Sequence, residues 1–226
     1  MSKESGVSTE ALTLDNLPVD IYDLLSDFLD NKSLYIFLTL SPRHITVSKH
    51  LLNQRKWRQK DMTHWADVGD LEALKYLHRL KRQCTDVVAM QRASRNGHLQ
   101  VVKFLHSIGV ACSVSAMEWA SENGHLQVVK FLHSIGMPYD SKAIDWASHN
   151  GHLQVVKFLN SIGATCTSHA MDWASANGHL DVVKFLHSIG APCDARAVHL
   201  ACGNGHFHSP IPLHLLNKPH QCYVRI

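Results

Sequence analysis

Between Leu126 and Ile135 the chain reads LQVVKFLHSI. Leu126, Val129, Leu132 and Ile135 fall on one stripe at helical spacing. Val128 and Phe131 flank it, while Gln127, Lys130 and Ser134 point the other way. The pattern predicts an amphipathic helix of about three turns. Just upstream, SAMEWASEN sets Met117, Ala120 and Ser121 at helical spacing and predicts a second helix. Asn123-Gly124 separates the two helices and Gly136 ends the pair, because glycine readily takes the left-handed conformation of a helix C-terminus. The loop MPYDS, 137–141, leads onward. The unit is therefore two antiparallel helices and a loop. Neither helix buries its stripe alone, so units must stack.

The unit recurs along the chain. NGHLQVVKFLHSIG occupies 96–109 and 123–136, NGHLQVVKFLNSIG occupies 150–163, and NGHLDVVKFLHSIG occupies 177–190. The Gly of each Gly-His step falls at 97, 124, 151, 178 and 205, a constant period of 27 residues. A divergent copy, VGDLEALKYLHRL, lies at 68–80. A fixed period of this size predicts an all-α solenoid. The last copy breaks off. After Gly205-His206-Phe207 comes HSPIPLHLLNKPHQ, where Pro210 and Pro212 forbid a regular second helix. Either this tail packs irregularly as a poor cap, or the reading frame changed in a repetitive gene.

RAVHLACGNGH at 196–206 keeps a His-x-Ala step at His199, Leu200 and Ala201 ahead of the Gly-His turn. Together with the second-helix pattern, this resembles the ankyrin repeat over roughly residues 60–207. In the middle units Glu118, Asp145 and Asp172 stand where that family has its helix-1 His, each followed by a Trp. The family unit is about 33 residues, so these are about six shorter. The resemblance implies a projecting β-turn finger reduced to a plain loop.

The N-terminal segment does not share the repeat. LTLDNLPVDIYDLLSDFLDNKSLYIFLTLS, 12–41, sets Leu17, Ile21, Leu24, Leu25, Phe28 and Leu29 at helical spacing with Pro18 near the helix start. Asp20, Asp23, Asp27 and Asp30 take the opposite face. A second apolar helix follows Asn31-Lys32-Ser33, through Leu34, Phe37, Leu38 and Leu40. This arrangement resembles an F-box, without the Trp that usually follows Ser41-Pro42-Arg43. The resemblance implies docking on a Skp-type adaptor of a cullin–RING ubiquitin ligase through Leu17, Pro18, Ile21, Leu24, Leu25 and Leu29, with the repeats holding a target protein. The alternative is a plain ankyrin-repeat scaffold whose N-terminal helices only cap the solenoid. The near-identical 27-residue copies look like ankyrin families expanded in amoeba-infecting giant viruses. The expected organisation is a disordered tail at 1–10, an F-box-like unit at 11–58, about five repeats at 59–190, and an incomplete sixth repeat with an irregular tail at 191–226.

Composition narrows the chemistry. Hydrophobic residues make up 45% of the 226, enough for a core, and the net charge of +3 does not by itself suggest a nucleic-acid partner. Charge is uneven: residues 1–40 hold two basic and seven acidic side chains, whereas 41–60 hold six basic and none acidic. The run Arg55-Lys56-Trp57-Arg58-Gln59-Lys60 reads as a solvated helix face, or as a nuclear or RNA-binding patch. No stretch approaches the roughly 18 apolar residues of a membrane helix, and MSKESGVSTE is not a secretory signal. The six cysteines form no CxxC pair, which points to reduced thiols in the cytoplasm or nucleus, of a host cell if the protein is viral.

Eighteen histidines invite a metal hypothesis, but eight are copies of two positions: 98, 125, 152, 179 and 206, then 106, 133 and 187. Equivalent residues of a solenoid sit too far apart to share an ion. The Gly-His imidazoles are expected to bond backbone of the adjoining turn, with no metal and no cofactor. Glu118, Asp145 and Asp172 form a ladder of like environments, expected to be exposed, not a pair facing one substrate. No catalytic residue is expected. Trp119, Trp146 and Trp173 are expected in the inter-repeat core, with an exposed aromatic row as the alternative. Positions that vary between copies mark the expected partner surface: Ser115, Glu118, Glu122, Lys142, Asp145, His149, His169, Asp172, Arg196 and His199. In ankyrin-like arrays these line the concave side. The expected state is a monomer with a protein partner and no membrane or nucleic acid.

Overall fold

A computed structural model describes residues 53, 54, 56–82, 86–193 and 195–205. The chain divides into two units, Met1–Asp61 and Met62–Ile226. The F-box-like residues Leu17, Pro18, Ile21, Leu24, Leu25 and Leu29 lie outside the described residues, as do Arg55 and everything from His206 onward.

The second unit holds eleven helices among the described residues and no strand. In chain order they are α1 (Met62–Val68), α2 (Leu71–Arg79), α3 (Val87–Arg95), α4 (Leu99–Ser107), α5 (Val114–Glu122), α6 (Leu126–Ser134), α7 (Ser141–His149), α8 (Leu153–Ser161), α9 (Ser168–Ala176), α10 (Leu180–Ser188) and α11 (Ala195–Gly203). Odd-numbered helices are the first members of their pairs and even-numbered helices the second. The first helices pack in a row, α1 to α11, and the second helices in another, α2 to α10. The first row is the tighter of the two. Small side chains explain this. Ala116 and Ala120 with Ser121, and their equivalents Ala143, Ala147 and Ser148, are fully buried and let backbones approach closely.

Three first helices, α3, α7 and α9, have a local start signal in a short polar side chain. Asp86 accepts from the Val88 amide at 2.9 Å, Asp140 from Lys142 at 3.0 Å, and Thr167 from His169 at 3.2 Å. From α4 onward the second helices begin directly at the Gly-His turn, with His98, His125, His152 and His179 at the cap position and no side-chain cap bond. Their buried stripe is centred on Val128, Val129 and Leu132 and its repeats, while Leu126, Phe131 and Ile135 are only half-buried. Because the second helices are less closely stacked than the first, the outer edge of each stripe stays partly open. The connection from α6 to α7 is residues 135–140 without strand, so the finger is a plain loop.

Candidate functional site

Three rows of side chains run along the array, and their geometry separates scaffold from surface. The first row is the Gly-His turn. His98 Nε2 lies 3.1 Å from the Asp67 carbonyl and His125 Nε2 lies 2.9 Å from the Arg95 carbonyl, one unit upstream in each case. The imidazole sits in the space left by the previous unit's glycine. A Cβ built on Gly124 would fall 2.6 Å from His152 Nδ1. The adjacent asparagine reaches back as well. Asn150 Nδ2 donates to the Glu122 carbonyl at 2.7 Å, Asn177 Nδ2 to the His149 carbonyl at 3.1 Å, and Asn204 Nδ2 to the Ala176 carbonyl at 2.8 Å. These bonds satisfy carbonyls at the C-terminal end of the preceding first helix. Burial and the neighbouring His125 and His179 hold the His152 imidazole below its ordinary pKa, with its backbone bond to Glu122 opposing. The Gly-His imidazoles are thus inter-repeat architecture. Among the described residues, no three or more His, Cys, Asp or Glu converge as metal ligands would. No described helix is long and apolar enough to cross a membrane.

The second row corrects an expectation. Asp145 and Asp172 are 4% and 2% exposed, so they do not line a partner surface. Asp145 accepts from the Thr167 amide at 3.0 Å and from its hydroxyl at 2.7 Å. Thr167 is the cap of the next first helix. Equivalent positions use other chemistry: Gln91 Nε2 donates to Ser113 Oγ at 2.9 Å, and Arg196 Nε lies 3.7 Å from Asp172 Oδ2. Half-buried Glu118 faces Asp140, with Lys142 Nζ 3.8 Å from Glu118 and 3.7 Å from Asp140. Burial first, then the Asp140 charge, raises the Glu118 carboxyl above the usual carboxylate range, with Lys142 opposing. This side chain position tucks against the next unit's loop because its neighbour on the helix, the Trp, takes the open side. His199, the last equivalent, is exposed.

The third row is that open side. Ser115, Trp119 and Glu122 share one face of α5. Lys142, Trp146 and His149 share the same face of α7, His169 and Trp173 that of α9, and Arg196 and Leu200 that of α11. The three tryptophans are half-buried, outside the core expected for them. They do pack between units: Trp146 and Trp173 have ring centroids 5.0 Å apart. His149 meets the rings of both edge-on at 5.7 and 5.5 Å, and His169 stacks on Trp173 at 5.0 Å. The Arg95 guanidinium lies 5.8 Å over Trp119. Helical spacing excludes a core role for them: the buried positions 116, 117, 120 and 121 already occupy the inner face, so a Trp at 119 is turned outward. Helical spacing groups Trp119 with Glu122 and sets both apart from Ala116 and Ala120, but which group meets solvent is fixed by the neighbouring units.

Of the expected partner residues, the structure brings together Ser115, Glu122, Lys142, His149, His169 and Arg196 beside the aromatic row. It places Glu118, Asp145 and Asp172 between units instead. No curated protein matches the chain. Residues 90–170 match the family model for ankyrin repeats in three copies, and the same helix pair continues on both sides of that span. The described part of the second unit is therefore a helical solenoid, and its residues 90–170 are similar to ankyrin repeats.

Proposed function

We propose that the protein is a non-catalytic adaptor whose first-helix face holds a protein target and whose N-terminal segment docks a Skp-type adaptor of a cullin–RING ubiquitin ligase. The observation that carries the binding role is the open row of Trp119, Trp146 and Trp173, flanked by side chains that differ from unit to unit. Tryptophan and arginine dominate interface hot spots, and a constant anchor with variable neighbours suits one partner spread over several repeats. The docking role rests on the spacing of Leu17, Pro18, Ile21, Leu24, Leu25 and Leu29. Such an adaptor works in the cytoplasm or nucleus, where the ligase machinery resides.

Affinity capture of the tagged full chain from cells, with quantification of Skp-type adaptor, tests the ligase half. Enrichment lost in a Leu24→Ala/Leu25→Ala variant is the expected result. No enrichment with the array folded overturns it. Deleting residues 1–58 separates the plain-scaffold reading: a solenoid cap cannot be removed without unfolding the array, whereas an independent docking unit can.

A further inference from the structure

The side of the array away from the tryptophans carries a different pattern. Lys103, Lys130, Lys157 and Lys184 occupy one position of α4, α6, α8 and α10, and all four are exposed. None of them is ion-paired among the described residues. Across the five second helices there are six basic side chains, Lys75, Arg79, Lys103, Lys130, Lys157 and Lys184, against two acidic ones, Glu72 and Asp181. That is a net of +4. The rest of the described array residues from 62 to 205 hold six basic and eight acidic side chains, a net of −2. The overall charge of +3 averages over this segregation.

Three of the four ammonium groups lie over an aromatic ring of the next unit. Lys103 Nζ lies 5.8 Å from the Phe131 ring centroid of the next unit, Lys130 Nζ 5.7 Å from Phe158, and Lys157 Nζ 5.8 Å from Phe185. Packed helices lie about 10 Å apart, so four lysines form a row of about 30 Å. One turn before each of the first three stands an exposed amide, Gln100, Gln127 or Gln154, and one turn after Lys103, Lys130 and Lys184 stand His106, His133 and His187. The face is thus a regular line of cations and hydrogen-bond donors, free of carboxylates over α4, α6 and α8.

We propose that this row binds the phosphate backbone of double-stranded DNA, a second surface independent of the tryptophan face. A protein partner needs apolar anchors, and interface cores are depleted in lysine. The exposed large apolar side chains among the described residues are Val68, Leu80 and Ile189, and none lies within the row. A single strand needs open aromatic faces for its bases. Here the lysines cover Phe131, Phe158 and Phe185. An anionic membrane would need apolar side chains to insert, which the same face lacks. A duplex backbone needs only charge and donors, contacted without reading sequence. A row of about 30 Å is close to one helical turn of B-DNA, about 34 Å.

The test is fluorescence anisotropy of a labelled duplex of about 20 base pairs against the full chain, across a salt series from about 25 to 200 mM. Four phosphate contacts give a slope of log K against log salt of about −3.6, and each single Lys→Gln exchange flattens it by about 0.9. Lys130→Gln alone and the fourfold Lys→Gln variant are both measured, with helix content followed by circular dichroism. Lys130→Arg is expected to keep the slope. Trp146→Ala is expected to leave DNA binding unchanged, so failure here is distinct from failure of the protein-binding reading. The proposal is overturned by no duplex binding at about 50 mM salt. It is equally overturned by an unchanged slope in both Lys→Gln variants, or by binding of anionic vesicles or an acidic peptide in place of the duplex.

Discussion

Two glycines with the same backbone conformation separate conformational strain from packing. Gly124 and Gly136 both have φ +76°, yet a Cβ on Gly136 would meet nothing within 4 Å while one on Gly124 would strike the His152 ring. Replacing either by alanine incurs the left-handed backbone cost of about 1–2 kcal/mol. For Gly136→Ala that is the whole effect. For Gly124→Ala the ring must also move, which adds overpacking of about 1–3 kcal/mol and weakens the imidazole's bond to the Glu122 carbonyl. The expected loss is about 1–2 kcal/mol for Gly136→Ala and about 2–5 kcal/mol for Gly124→Ala. Urea unfolding followed by circular dichroism measures both. Two further variants, His152→Ala and the double, complete the cycle: with His152→Ala in place, Gly124→Ala should fall back toward the cost seen at Gly136, a coupling of at least about 1 kcal/mol. Equal costs at the two glycines, or strict additivity with His152→Ala, would refute the interlocking of glycine and histidine across units.

Other expectations follow from the same rows. The His152 pKa is lowered in the folded state, so the folded chain binds fewer protons there than the unfolded chain. Stability should therefore fall as pH drops below the unfolded value of about 6.5, and His152→Gln should lessen that fall when unfolding is compared at pH 7.5 and 5.5. Asp145→Ala leaves the Thr167 amide and hydroxyl without their buried acceptor and should cost about 2–3 kcal/mol in urea unfolding, with Asp145→Asn costing less because one acceptor oxygen remains. Ser121 is fully buried and its hydroxyl has no hydrogen-bond partner, so Ser121→Ala should raise stability by about 1 kcal/mol. Trp146→Ala should weaken target binding by about 2 kcal/mol in calorimetry while leaving helix content intact.

The repeat unit was legible because its determinants are local. A stripe of Val128, Val129 and Leu132, a glycine at each helix end and a short polar cap act within one turn of chain, and copying preserved them at a constant 27-residue step. The histidine role was legible for a related reason: residues repeated at solenoid spacing do not converge on one ion, so the Gly-His imidazoles read as local bonds to the adjoining turn. The asparagine that precedes each Gly-His step was visible, but its reach to the preceding unit was not, since that bond spans 28 residues from Asn150 to Glu122.

What the amino-acid sequence determined by itself is the helix pair, its period and the need to stack. Which side of each first helix meets solvent was decided only when units came together. Asp145 is a charged residue that ordinary partition would leave in water, yet the next unit supplies the Thr167 amide and hydroxyl that make its burial tolerable. Trp146 is a large apolar residue that ordinary partition would bury, yet alanine and serine fill the close inner contact and turn the ring outward against Trp173 and His149. Polarity of a single residue ranks its preference for the core. In a stacked array the space and partners offered by the neighbouring unit settle its place, and both are properties of the tertiary structure.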